Sequence, residues 1–131
     1  MNVLMICGGG REHALAWKLA QSSNVETVFV APGNAGTASE PKLENISVDA
    51  NDFGALASFA KANHCALTVV GPEAPLVNGI VDFFEGEGLH CFGPSAAPAQ
   101  LEGSKAFTKE FLARHNIPTG AYATFTDPDA A

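Results

Sequence analysis

Apolar positions in this chain alternate between continuous runs and helical spacing. Val3-Leu4-Met5-Ile6-Cys7 is an unbroken apolar run ended by Gly8-Gly9-Gly10, as expected of a strand buried on both faces of a parallel sheet. Glu12 to Gln21 follows, with Leu15, Ala16 and Leu19 at helical spacing. Val28-Phe29-Val30-Ala31 predicts a second strand stopped by Pro32-Gly33-Asn34, and Ile46 with Val48 predicts a short third. Asp52 is placed to cap a helix whose apolar face is Leu56, Phe59 and Ala60. Leu67-Thr68-Val69-Val70-Gly71 predicts a fourth strand. One helix is expected from Leu76 to Glu87, using Val77, Ile80, Val81 and Phe84. His90-Cys91-Phe92 predicts a fifth strand, ended by Gly93-Pro94.

Strands alternating with helices define βαβ units. The expected fold is α/β: a Rossmann-like, mostly parallel sheet with flanking helices and right-handed crossovers. Ligands of such sheets sit outside the carboxyl ends of the strands. Here those ends carry Gly8-Gly9-Gly10, Pro32-Gly33-Asn34, Gly71-Pro72-Glu73 and Gly93-Pro94, four turns expected at one edge. After Gly93 the pattern changes. Ser95 to Leu101 reads as a short helix broken by Glu102-Gly103-Ser104. Ser104 then caps a longer helix to His115, with Phe107, Phe111 and Leu112 on one face, and Ala121 to Phe125 reads as a strand. Asp127-Pro128 is a helix-start signal at the very end of the sequence. The expectation is therefore one domain over 1–102 and the truncated start of a second over 103–131.

Composition narrows the function. A chain of 131 residues supports one compact core. Seven Lys and Arg against 14 Asp and Glu give a net charge of −7, which argues against nucleic-acid binding. It leaves small anions open, because backbone N–H groups bind phosphate without net basic charge. Cys7, Cys65 and Cys91 are odd in number and form no CxxC, so they read as small buried residues rather than a disulfide framework or a thiolate metal site. His13, His64, His90 and His115 are scattered, which indicates no metal site. No apolar stretch approaches the roughly 20 residues of a membrane span, and no secretory leader pattern is present. These features together predict a cytoplasmic location.

The candidate chemistry gathers in the turns. Gly8-Gly9-Gly10 is followed at once by Arg11-Glu12-His13. Glycines alone would suit a plain tight turn, but three polar groups at a strand's carboxyl end suit a site. The dinucleotide fingerprint G-x-G-x-x-G fails, because its third small position is His13, and Ala31-Pro32-Gly33 stands where the acidic residue is expected. A nicotinamide-dependent oxidoreductase is thus disfavoured. Glu73 either accepts hydrogen bonds from sugar hydroxyls or is a helix-start carboxylate stabilised by the dipole. Lys105 sits unfavourably in a helix's first turn unless a ligand phosphate or solvent compensates it.

Read together, several stretches resemble the phosphoribosylamine–glycine ligase (glycinamide ribonucleotide synthetase) family. They are Gly9-Gly10-Arg11-Glu12-His13-Ala14-Leu15 within Val3 to Ala20, Val28 to Thr37, Thr68 to Val77, Phe92-Gly93-Pro94, and Leu101 to Lys109. The resemblance runs from Met1 to Phe125 and implies the N-terminal, pre-ATP-grasp part of an ATP-grasp ligase. Such an enzyme joins 5-phosphoribosylamine and glycine through a glycyl phosphate, giving glycinamide ribonucleotide, ADP and phosphate, with ATP and Mg (or Mn) as cofactors. By resemblance, Gly9, Gly10, Arg11, Glu12, Pro32, Gly33, Asn34, Gly71, Pro72 and Glu73 form the phosphoribosyl edge, and Lys105 reaches nucleotide phosphate. Catalytic residues and metal ligands are expected outside this chain, which alone should be inactive and bind no cofactor strongly. Two positions depart from the family's habit: Cys7 replaces a usual Gly, and Gly86 weakens a helix end. A stand-alone, non-catalytic module binding a phosphorylated metabolite is the alternative. The apolar residues of 103–131 further raise the expectation of self-association through that segment.

Overall fold

The computed structural model describes residues 1–127 and 129. Five parallel strands form one sheet in the order β3-β2-β1-β4-β5, where β1 is Asn2–Cys7, β2 Thr27–Pro32, β3 Leu43–Asn45, β4 Cys65–Val70 and β5 Cys91–Phe92. Helix α1 (Gly10–Ala20) links β1 to β2, and α2 (Phe53–Ala62) links β3 to β4. The β4–β5 crossover carries α3 (Glu73–Val77) and α4 (Ile80–Gly86). Helices α5 (Ala96–Gly103) and α6 (Lys105–Arg114) follow.

The central strand shows why the sheet needs cover on both sides. Side chains alternate across a strand. Leu4 and Ile6 join Leu56, Ile80 and Phe84 in one core, while Val3, Met5 and Cys7 join Ala16, Ala20 and Val30 in the other. Helix α1 buries the stripe Glu12, Ala16 and Ala20, four residues apart. Its small residues let the helix lie close to the sheet, and Leu15 is turned outward, half exposed. Asp52 caps α2 as the sequence predicts, accepting the Ala55 N–H at 3.0 Å.

Four predicted elements differ. The third strand is Leu43–Asn45 rather than Ile46 to Val48, because the edge of β2 pairs through Val28–Leu43, Phe29–Glu44 and Val30–Asn45. Ile46 only closes that ladder, donating its N–H to the Val30 carbonyl at 2.9 Å. The expected helix from Leu76 to Glu87 is two helices, broken where Gly79 takes φ +89°, a left-handed conformation open to glycine. Helix α5 continues through Gly103 and turns at Ser104. Ser104 then caps α6, accepting the Phe107 N–H at 3.3 Å. Residues 121–125 form no strand, since no sheet edge reaches them. The helix start read at Pro128 lies outside the described residues. A single copy of the chain leaves Phe107, Tyr122 and Phe125 exposed, with Phe111 and Leu112 half-buried.

The thiols have a pH consequence. Cys7 is buried, whereas Cys65 and Cys91 are only partly so. Burial, with the Glu12 charge adding and a Gly9 backbone contact opposing, pushes the Cys7 thiol from its ordinary 9.0 up to about 11. Burial and Glu85 push Cys91 up to about 11 as well, and burial raises Cys65. Between these values the folded chain keeps protons that the unfolded chain releases. This part of the stability is therefore whole below about pH 9 and declines as pH rises toward about 11. Urea melts across that range should show a steeper decline for the native sequence than for a Cys7→Ala, Cys91→Ala double variant. Parallel declines would show that the two thiols contribute nothing.

Candidate functional site at the carboxyl edge of the sheet

Strand order reverses direction beside β1: β2 and β3 lie on one side, β4 and β5 on the other. The carboxyl ends of β1 and β4 thus flank the topological switch point, where ligands of open α/β sheets bind. The turns after β2 and β4 are tied to the end of β1. The Gly33 N–H donates to the Cys7 carbonyl at 3.0 Å, and the Gly71 N–H donates to Ile6 at 3.3 Å.

Within this frame several of the predicted residues come together. Arg11, on the first turn of α1, reaches across the switch point and donates from Nη2 to Glu73 Oε1 at 3.2 Å. The Arg11 side chain is largely exposed. Glu73 opens α3 after Pro72, so it is both the helix-start carboxylate and the partner of Arg11. A hydrogen bond from its own backbone N–H, and then the Arg11 guanidinium, hold its carboxyl below the ordinary carboxylate range. Glu73 is therefore ionised at neutral pH. Its pairing with Arg11 is complete above that range and is lost only as acid titrates the carboxylate.

Glu12 has a different place. It is buried beneath the turn, where Oε2 accepts the Gly9 N–H at 3.1 Å and Oε1 lies 3.4 Å from Arg11 Nε. A carboxylate of the chain itself thus occupies a backbone donor of the first turn. Gly71 packs directly on the Glu12 side chain and has no room for a Cβ. On the other flank, Pro32 ends β2 after a cis peptide, and Gly33 takes φ +78°. Asn34 Nδ2 reaches the Gly8 carbonyl at 3.4 Å. Lys105 stands apart on α6, exposed, beside a cavity of about 370 Å³ that Tyr122 and Phe125 also line.

Sequence reasoning did not foresee three supporting contacts. Thr37 is fully buried and bonded to Asn34 and Asn45. Asn45, at the end of β3, grips the same loop. His13 pairs with Glu40 at 3.3 Å. The Asn34-Ala35-Gly36-Thr37 pattern was a usable signal for an Asx turn, whereas nothing in the sequence marks Asn45.

Fold and site define an α/β domain with glycine-bearing and charged turns gathered at its switch point. Residues 1–102 match the family described as phosphoribosylglycinamide synthetase, N domain. The chain belongs to that family. It is 66% identical over all 131 residues to the phosphoribosylamine–glycine ligase of Vibrio parahaemolyticus and 63% identical to that of Escherichia coli K12. It covers 100% of itself and 30% of each relative, so it spans about a third of their length. Among solved structures it resembles the biotin carboxylase domain of a single-chain bacterial carboxylase, with a TM-score of 0.65 at 15% identity over 99% of this chain and 33% of that one. The biotin carboxylase domain of Hydrogenobacter thermophilus 2-oxoglutarate carboxylase, solved with MgADP and bicarbonate, gives 0.64 at 15% identity over 89% and 28%. At that identity the likeness concerns the fold alone. Among the described residues, no helix is long and apolar enough to cross a membrane.

Proposed function

We propose that this chain is the phosphoribosyl-binding N-terminal part of an ATP-dependent ligase of purine synthesis. That ligase joins 5-phosphoribosylamine and glycine into glycinamide ribonucleotide, with release of ADP and phosphate. The observation that carries the reading is the Arg11–Glu73 pair spanning the switch point, in a chain whose relatives bear that ligase's name. An ionised, solvent-reachable Glu73 accepts hydrogen bonds from sugar hydroxyls. Arg11 offers a planar set of donors, and Gly10, with open space at its Cβ position, lets a ligand approach the backbone beside Gly9. Pro32, Gly33, Asn34, Gly71 and Pro72, on the turns after β2 and β4, are the further proposed contacts at the same edge. Glu12 acts from beneath, holding the turn.

Residues 103–131 are proposed to open the ATP-grasp domain. The family match ending at residue 102 supports this, as does α6, which buries none of its residues. Lys105, at its first turn, is the proposed contact to nucleotide phosphate. ATP and magnesium belong to the whole ligase. Among the described residues no group of three His, Cys, Asp or Glu is placed to hold a metal ion.

In the full-length ligase, Glu73→Ala should raise the KM for phosphoribosylamine by about tenfold or more, the scale of losing hydrogen bonds to a charged group, and leave the KM for ATP unchanged. The 131-residue chain assayed beside it should form no glycinamide ribonucleotide. Unchanged KM and kcat for the variant would reject the role of Glu73.

A further inference from the structure

The loop from Gly33 to Thr37 carries Asn34 to the carboxyl edge of the sheet, and its shape is fixed by the side chains of Asn34, Thr37 and Asn45. Asn34 Oδ1 accepts the N–H groups of Gly36 and Thr37 at 2.8 and 3.0 Å, closing an Asx turn. Thr37 Oγ1 accepts the Asn34 N–H at 2.8 Å. A hydroxyl has a single proton to give, and the shortest acceptor offered is Asn45 Oδ1 at 2.7 Å. Asn45 Nδ2 in turn donates to the Asn34 carbonyl at 2.8 Å. Flipping the Asn45 amide would set its oxygen against the Asn34 carbonyl, an acceptor only, so that carbonyl dictates one orientation.

The packing around this network leaves no slack. A Cβ on Gly33 would overlap the Asn45 amide, and a Cβ on Gly36 would lie 2.7 Å from His13 Cε1. The loop is thereby held between the end of β3 and the first helix. Its Asn34 Nδ2 contact with the Gly8 carbonyl passes the constraint on to the glycine turn. Neither Thr37 nor Asn45 belongs to the binding residues named above.

We infer that Thr37 and Asn45 are positioning residues for the phosphoribosyl substrate: they act through Asn34 and Gly33, holding that side of the proposed site in binding geometry before substrate arrives. The inference rests on the site reading above. A preorganised loop spares the substrate the cost of ordering it, and small misplacements at such edges reduce turnover steeply.

The test uses the full-length ligase with Thr37→Val, Thr37→Ser, Asn45→Ala and, as a control on the site itself, Glu73→Ala. Thr37→Val keeps the shape and removes the hydroxyl, and Asn45→Ala alters an exposed residue, so the fold survives in at least the latter. Thr37→Val and Asn45→Ala should each raise the KM for phosphoribosylamine by about tenfold with the KM values for ATP and glycine unchanged. Thr37→Ser should restore the native value. A KM for phosphoribosylamine unchanged in Asn45→Ala overturns the inference, as does an equal rise in all three KM values that merely follows a lowered melting temperature. If Glu73→Ala raises that KM and Asn45→Ala does not, the positioning idea fails and the site stands. If neither does, both fail.

Discussion

Phe84→Ala should lower the stability of the chain by about 3–5 kcal/mol, the range for removing a fully buried aromatic ring. Phe84 is the largest side chain with no exposure, and it faces Leu4, Ile6, Leu56 and Ile80 across the α2/α4 side of the sheet. Strand β1 cannot close on the void, because it is fixed between β2 and β4 by ladders on both sides. Against a typical total of about 5–15 kcal/mol, the loss would remove a large share of the domain's stability. The neighbouring ring is the control. Phe83 is 39% exposed and touches Phe53 at 5.9 Å between centroids, so Phe83→Ala should cost no more than about 1 kcal/mol. Urea melts followed by far-ultraviolet circular dichroism measure both. Equal costs, or a loss below about 1 kcal/mol for Phe84→Ala, would mean that this core is not where the structure puts it.

Phe84 also shows what was legible in the sequence. Val77, Ile80, Val81 and Phe84 repeat at helical spacing, and the inward face of α4 follows from that repeat. The same repeat hid the break at Gly79, because apolar spacing continues across it while the backbone does not. The central strands were legible because they are buried on both faces and must be apolar throughout. The third strand was not: Leu43-Glu44-Asn45 has one apolar residue, and its place is dictated by β2's need for a hydrogen-bonded neighbour. Ala121 to Phe125 has strand composition but no edge to pair with, so propensity alone could not make it a strand.

The site divides in the same way. Glycines and charged residues directly after strands announce the carboxyl edge, and the chain order of β1, β2 and β4 suffices to bring those turns together. Which carboxylate points outward was not legible. Glu12 and Glu73 look alike in sequence, yet one lies beneath the turn and the other faces solvent. The difference comes from helical register: Glu12 shares its face with Ala16 and Ala20, both buried, whereas Glu73 begins a separate short helix. Asn45 was invisible for a different reason, since its bonds span eight and eleven residues and follow from folding alone.

Gly71→Ala and Glu12→Ala should each destabilise the chain, and the two losses should not add. A Cβ on Gly71 would overlap Glu12 Cγ. The backbone of Gly71 cannot withdraw easily, because its N–H is bonded to the Ile6 carbonyl at 3.3 Å. Glu12 must therefore swing away and abandon the Gly9 N–H, so Gly71→Ala should cost about 1–3 kcal/mol as overpacking. Glu12→Ala removes the acceptor for Gly9 and leaves a gap under the turn, a loss of about 1–3 kcal/mol. In the double variant the methyl group enters the space that the carboxylate vacated. Its nearest remaining neighbour is Glu12 Cβ at 3.1 Å, a contact that a small shift relieves. The double-mutant cycle should then show the pair to be less destabilising than the sum of the singles by more than about 0.5 kcal/mol, beyond the scatter expected of independent sites. Urea melts of the four proteins give that coupling directly. Simple additivity would mean that Gly71 does not press on Glu12, and that the first turn is held by something other than the buried carboxylate.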